Sequence, residues 1–264
     1  MSLALIAGRG RLASLVAEAQ ETAPLICAYE GFAPDGLTSD LTFRLETLGS
    51  LLVDLGARGI TEVCFAGGLE RPQIDPAKLD EETAPLLPLF EDALKKGDDG
   101  ALKVVVDLFE KTGFTVRAAH DLAPHLLAEG GVYSDAWPTA QMRADAELGA
   151  AHIAKMGPSD IGQACIIGKG AVMGMEDAAG TDALITRLRP LPKSHEAILF
   201  KGPKPEQTRL VDLPTIGPET IDAAGGAGLA GVVIDAGDVL VIDKARCVEL
   251  ANQLGLVLWA RTGG

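Results

Sequence analysis

The sequence predicts an α/β protein of two domains, an N-terminal Rossmann-like parallel sheet followed by a C-terminal mixed α/β domain. Three observations carry that reading. Through the first half, short apolar runs of strand type alternate with amphipathic stretches of helix length, and glycines stand at the ends of the strand-like runs. Aromatic residues are only 4% of a chain that is 47% hydrophobic, so the interior must be built from Ala, Val, Leu and Ile. Between Pro124 and Pro138 the alternation dissolves into Gly130-Gly131, Tyr133, Ser134, Trp137 and Pro138, and it resumes in a different order. The boundary is placed there, giving domains of residues 1–130 and 131–264, the second carrying the catalytic segment.

Each element has its own reason. Leu3 to Ala7 is an apolar strand, and Gly8-Arg9-Gly10 turns it into a helix from Leu12 to about Glu21. A strand is expected over Pro24–Tyr29, a helix over Leu48–Ala57 and a third strand over Thr61–Ala66, ending in Gly67-Gly68. Helices fit Thr83–Lys96 and Asp98–Thr112; in the second, Leu102, Val105, Val106 and Phe109 share a face. Thr115–Ala119 reads as a further strand. The second half predicts helices over Ala140–Lys155, Thr181–Leu188, Glu219–Ala227 and Lys244–Leu254. Its strands are expected at Ala164–Gly168, Ala171–Met175, Ala197–Phe200, Gly231–Ile234, Val239–Ile242 and Leu256–Trp259.

Bulk properties narrow the function. A chain of 264 residues with net charge −14 has no basic face for a nucleic-acid backbone, and electrostatic docking on an anionic membrane is equally disfavoured. At most a peripheral membrane contact is expected, and a lipid-like substrate held in a groove stays open. The four cysteines, Cys27, Cys64, Cys165 and Cys247, show no pairing pattern and suit a reducing, cytoplasmic setting. The first residues read as a strand rather than a signal peptide, and no apolar run is long enough to span a bilayer.

Gly8-Arg9-Gly10-Arg11-Leu12-Ala13 matches Gly-x-Gly-x-x-Ala between a strand and a helix, with Glu30 about twenty residues on, where a ribose-binding acid would stand. A dinucleotide-binding protein is therefore one reading, although two arginines inside such a turn better suit phosphates approaching from above. A tight turn that only packs helix on sheet is another. Gly67-Gly68-Leu69-Glu70-Arg71-Pro72 closes the third strand on the same edge and offers a second wall. Gly97-Asp98-Asp99 either binds metal or caps a helix, capping being the ordinary use.

Glu176, Asp177 and Asp182 lie within seven residues at a strand-to-helix turn, enough oxygen ligands for Mg²⁺ or simply a capped helix start. The four histidines lack metal-ligand spacing, and no Gly-x-Ser-x-Gly elbow supports a nucleophilic triad. The most informative stretch is Lys201 to Glu219. It brings Lys201, Lys204 and Arg209 before the lone carboxylate of Asp212, then turns through Pro214, Thr215 and Gly217 into a helix with Pro218 in its first turn. Cations, one acid and a helix N-terminus suit an anionic, phosphorylated ligand; solvated charges on a bridging loop are the plainer account.

Taken together these segments resemble one family, the LpxI-type UDP-2,3-diacylglucosamine pyrophosphatases of bacterial lipid A synthesis. The resemblance rests on Leu5-Ile-Ala-Gly-Arg-Gly10, Gly31-Phe32, Cys64-Phe-Ala-Gly67 with Arg71-Pro72, and Lys96-Gly-Asp-Asp99. It continues through Asp160-Ile-Gly-Gln163, Glu176 with Gly180-Thr-Asp182, Lys201 to Gln207, and Val211-Asp-Leu-Pro-Thr-Ile-Gly217. The last two are specific; the glycine turn alone is not. Leu12-Ala13 departs from the expected Leu-Pro, and Gly68-Leu69-Glu70 falls in a more variable loop.

The resemblance implies hydrolysis of UDP-2,3-diacylglucosamine to UMP and 2,3-diacylglucosamine 1-phosphate (lipid X), assisted by Mg²⁺, with substrate held between two domains. It maps the family's essential aspartate onto Asp212. Substrate-binding residues are expected at Gly8, Arg9, Gly10, Gly67, Arg71, Thr181, Lys201, Lys204, Gln207 and Thr215, and metal ligands at Asp212, Glu176 and Asp182. By family analogy a homodimer is also expected.

Overall fold

A computed structural model describes residues 2–69, 74–90, 98–156, 162–191, 196–205 and 208–263. The chain forms two compact units, Met1–Pro124 with Thr208–Asp212, and His125–Gln207 with Leu213–Gly264. Both are α/β, as the sequence predicts.

In the first unit the strands are β1 (Leu3–Ala7), β2 (Leu25–Tyr29), β3 (Leu41–Phe43), β4 (Glu62–Ala66) and β5 (Thr115–Val116). They form a sheet in the order β3-β2-β1-β4-β5, all neighbours parallel. Strand order reverses at β1, the position at which open sheets form a crevice outside their carboxyl ends. Around the sheet lie α1 (Leu12–Glu18), α2 (Leu48–Ala57), α3 (Asp98–Lys111) and the short α4 (Ala119–Leu122). Leu48, Leu51, Leu52 and Leu55 fall on one face of α2 and join Val106 and Phe109 of α3 in the core.

Three local expectations shift. Strand β3 is missed in the sequence because three residues are too few to show alternation; its entry is held by the Asp40 carboxylate, which accepts from Ile26 N at 2.8 Å. The strand expected over Thr115–Ala119 stops after two residues, and Ala118 leads into α4 instead. Of the helix expected over Thr83–Lys96, Ala84–Leu86 is a 3₁₀ turn, residues 87–90 are helical, and 91–96 lie outside the described residues.

The second unit holds a six-stranded sheet of β6 (Gly131–Val132), β7 (Ala164–Gly168), β8 (Ala171–Met175), β9 (Ile198–Lys201), β11 (Gly231–Asp235) and β13 (Val257–Arg261), in the order β6-β13-β11-β9-β7-β8. Strands β9, β11 and β13 are parallel, while β7 runs antiparallel to both β9 and β8, and β6 to β13. Period-2 alternation divides its side chains. Ile166, Leu199, Val232, Ile234 and Leu258 face α6 (Gly180–Leu188), α7 (Pro218–Ala227) and α8 (Lys244–Leu254). Cys165, Ile167, Ile198, Phe200, Val233 and Val257 meet α5 (Ala140–Met156). A separate parallel pair, β10 (Thr215–Ile216) with β12 (Leu240–Val241), leads into α7.

Among the described residues no helix is long and apolar enough to cross a membrane. All four cysteines are free and buried, and burial pushes each thiol up to about 12. Native protein is therefore expected to resist thiol reagents at pH 8 and to label fully once unfolded. Because folding raises these pKa values from 9.0, the unfolded state alone loses thiol protons above pH 9. Their contribution to stability is intact below pH 9 and declines as pH rises toward 12, which denaturant titrations across that range will read.

Two glycines provide a second test. A Cβ on Gly8 would stand 2.5 Å from the Gly68 carbonyl oxygen, whereas one on Gly56 in α2 meets nothing. Gly8→Ala should cost about 3 kcal/mol and Gly56→Ala should stabilise by roughly 0.5–1 kcal/mol in urea unfolding.

Candidate active site

At the carboxyl edge of the first sheet, the turns after β1 and β4 clasp each other through backbone alone. Gly8 N donates to Ala66 O, and Arg9 and Gly68 exchange both backbone hydrogen bonds, each at 2.9 Å. A Cβ on Gly67, which also holds φ +106°, would lie 2.4 Å from Gly8 O. Gly8 and Gly67 are therefore glycine because two backbones touch there, while Gly10 is glycine for its φ of +90°.

The Arg9 guanidinium lies 4.3 Å from the Phe32 ring centroid, and its Nη2 donates to Gly31 O at 3.2 Å. Arg9 is thereby steadied at the carboxyl edge of the sheet. Glu30, the ribose-binding candidate, stands 3.6 Å from Arg44 Nε. Arg71 and Gln207 lie outside the described residues.

The stretch 201–219, read from sequence as part of the second half, is divided. Thr208–Asp212 belongs to the first unit, where Leu210 and Val211 pack against the core and Asp212 N donates to Thr208 O at 3.3 Å. Asp212 is thus presented by a short turn anchored on apolar neighbours. In the same unit His120 carries a buried Nδ1 with no hydrogen-bond partner. Burial holds its imidazole below the usual range; Asp121 opposes that shift and Arg209 adds to it.

The second unit gathers charge at the carboxyl ends of its parallel strands. Lys201 closes β9 at only 7% exposure, and its Nζ donates to Thr181 Oγ1 at 3.0 Å. Thr181, in the first turn of α6, donates to Glu176 Oε1 at 2.5 Å, and Glu176 Oε2 accepts from Gln163 N at 2.6 Å. Glu176 is 7% exposed. Lys204 lies three residues beyond Lys201 and is half-buried. Thr215 donates to Leu213 O at 3.1 Å, shaping the entry to α7, whose N-cap is Gly217 with Pro218 first in the helix.

The acids around residue 180 diverge. Asp177 caps the turn through Ala179 N and pairs with Arg187 at 2.6 Å, which together hold its carboxyl below the usual range. Asp182 is exposed in the first turn of α6. Among the described residues no three His, Cys, Asp or Glu side chains stand close enough to hold a metal ion. Both oxygens of Glu176 accept protein donors, and the Lys201 ammonium is one hydroxyl away, so the carboxylate and the ammonium are linked through Thr181.

Sequence reasoning missed a further cluster. Asp235 ends β11 and Arg261 ends β13; Arg261 Nε lies 2.6 Å from Asp235 Oδ1, a close ion contact outside hydrogen-bond alignment, and Nη1 donates to Glu147 of α5 at 2.8 Å. Burial pushes the Asp235 carboxyl up while Arg261 opposes. The signal was available: each residue is a lone charge at the carboxyl end of an apolar strand.

The two units are open α/β sheets with cationic side chains at their carboxyl edges, a scaffold common among enzymes. Models of the LpxI N-terminal and C-terminal domains match residues 2–126 and 129–259, and the chain belongs to the LpxI family, a family of hydrolases. It is similar to the UDP-2,3-diacylglucosamine pyrophosphatase LpxI of Caulobacter vibrioides, 35% identical over 266 residues that cover 96% of this chain and 95% of the relative.

Removing Asp235 leaves the Arg261 guanidinium, at 6% exposure, facing only the mostly solvated Glu147 carboxylate of its two acidic partners. Asp235→Ala should destabilise the second unit by about 3 kcal/mol, and Glu147→Gln, whose carboxylate is mostly solvated, by less than about 1 kcal/mol, in urea unfolding.

Proposed function

We propose that this chain hydrolyses the pyrophosphate of UDP-2,3-diacylglucosamine to UMP and 2,3-diacylglucosamine 1-phosphate. The observation that carries the reading is the likeness to the Caulobacter enzyme along 96% of the chain, with the Val211–Gly217 motif intact. The site chemistry supports it. Water adds to one phosphorus, the bridging P–O bond breaks, and the electron pair leaves with the other phosphate. Negative charge grows on bridging and non-bridging oxygens, so fixed cations in a poorly solvated edge lower the barrier most.

In the second unit, Lys201 and Lys204 are the cations we assign to the substrate's phosphates, and the N–H groups opening α7 beyond Thr215 are the backbone donors there. In the first unit, Arg9 and the turn at Gly10 are the substrate-binding groups we assign. Asp212 is the carboxylate we assign to orient the attacking water or to hold Mg²⁺. Bound there, Mg²⁺ would supply positive charge against the charge that builds on the phosphate oxygens. Glu176 and Asp182, considered as metal ligands from the sequence, fit less well: Glu176 is already engaged and Asp182 faces solvent. The rival reading, a dinucleotide site at Gly8–Gly10, loses support from the backbone clasp to Gly68 and from the contact of Glu30 with Arg44. A homodimer, a cytoplasmic location and at most peripheral membrane contact complete the proposal.

Purified protein given UDP-2,3-diacylglucosamine and Mg²⁺ should release UMP and lipid X, and chelator should stop it. Asp212→Ala should lower kcat by roughly 10³-fold with circular dichroism unchanged. Folded, metal-loaded wild type that makes neither product overturns the reading.

A further inference from the structure

The Glu176–Thr181–Lys201 chain has a direction fixed by chemistry. An ammonium only donates and a carboxylate only accepts, whereas a hydroxyl has one proton and two lone pairs. Thr181 gives its proton to Glu176 Oε1 at 2.5 Å, so toward Lys201 Nζ, 3.0 Å away, it can only accept. Glu176 must accept twice, once from Thr181 and once from Gln163 N at 2.6 Å. The three side chains come from the end of β8, the first turn of α6 and the end of β9, and no two are neighbours in sequence.

The backbone is built around the same link. Ala164 of β7 pairs with Lys201, and Ala164 O accepts from Glu176 N at 2.9 Å, so Lys201, Ala164 and Glu176 lie in one row across three strands. Gly162, at φ +53°, brings its loop against Glu176 so closely that a Cβ would stand 2.3 Å from Glu176 O. Beyond Lys201, Gly202 has no room for a Cβ because Asp235 Oδ2 lies 2.6 Å away. A flexible lysine is thus confined at both its backbone and its charged end, at the carboxyl edge of the parallel strands where open sheets receive ligands.

We propose that Glu176 is a positioning residue for the pyrophosphate hydrolysis, acting through the Thr181 hydroxyl to aim the Lys201 ammonium at the substrate's phosphate oxygens. The inference rests on the function proposed above and assigns Glu176 a role other than metal ligation. Aiming matters because an ammonium held in advance loses little freedom when the transition state forms, whereas an unrestrained lysine must be ordered at that moment.

The experiment compares kcat, KM and the Mg²⁺ concentration for half-activation in wild type, Glu176→Gln, Thr181→Val and Thr181→Ser. Glutamine has one acceptor oxygen where the site needs two, and valine keeps threonine's shape without its hydroxyl. Each should lower kcat about thirty-fold with less than about three-fold change in KM. Serine restores the hydroxyl and should recover most of the loss. The double variant should be no worse than about two-fold below the poorer single, because both break one chain. Half-activation by Mg²⁺ should stay within about two-fold of wild type throughout.

Full activity in folded Glu176→Gln and Thr181→Val overturns the inference, leaving the link a structural one. A Mg²⁺ requirement raised ten-fold or more by Glu176→Gln, but not by Thr181→Val, overturns it in favour of metal ligation. Should Glu176→Gln fail to fold, the valine and serine pair decides the matter alone. Wild type without product fails the hydrolase reading and this inference with it; active wild type with indifferent variants fails the inference only.

Discussion

A charge taken out of water has to be compensated by specific partners, and the second unit is organised by that constraint. Glu176 and Lys201 are each 7% exposed, and Arg261 is 6% exposed. Left unpaired, any one of them would cost several kcal/mol, more than most single contacts contribute. Their compensation draws on β7, β8, β9, β11, β13, α5 and α6: Glu176 by Gln163 N and Thr181, Lys201 by Thr181, Arg261 by Asp235 and Glu147. Charge pairing therefore ties these elements together at the carboxyl edge, while the alternating apolar side chains beneath fix the register and supply most of the burial.

The first unit solves a different problem with almost no side chains. Two turns are brought together at the reversal point of the sheet, and only hydrogen allows the backbones to approach so closely at Gly8 and Gly67. The clasp leaves Arg9 at the edge, steadied by Phe32 and Gly31 O. A few residues of the chain, Thr208–Asp212, belong to this unit although they interrupt the second in sequence, and Leu210 and Val211 pack against its core. Asp212 thus follows directly on two residues packed against that core, in a single short turn.

Under the proposed function, a chain of net charge −14 handles an anionic substrate against its own average field. The resolution is local. Lys201 stands in a poorly solvated edge, where a fixed cation acts on a nearby phosphate far more strongly than it would in water. The surplus acids act mainly at a distance, and solvent and salt screen them within roughly 8–10 Å. Sign and placement of a few charges outweigh the total.

How much of this was legible in the chain follows from range. Apolar periodicity and glycine or proline punctuation are local signals, so α2 (Leu48–Ala57), β7, β8 and α8 fall where the sequence predicts them, and Gly217-Pro218 opens α7 as expected. Strands β3 and β10 escaped because two or three residues carry no period; β10 is held by pairing with β12, which falls inside the strand expected over Val239–Ile242. The residue types of the site were equally legible: Lys201, Thr181, Glu176 and Asp212 stood out as charges and hydroxyls at the ends of apolar runs. Their relations were not. Which protein groups Glu176 bonds depends on what stands within 3 Å of it, and that is set by strands and a helix brought together only on folding. By itself the sequence determined two α/β halves, their edges and their chemistry-bearing side chains, because those rest on neighbours in the chain. Only the tertiary structure decided that Gly8 meets Gly68, that Asp212 turns back to the first unit, and that Glu176 is joined to Lys201 through one hydroxyl, because each is a contact between residues far apart in sequence.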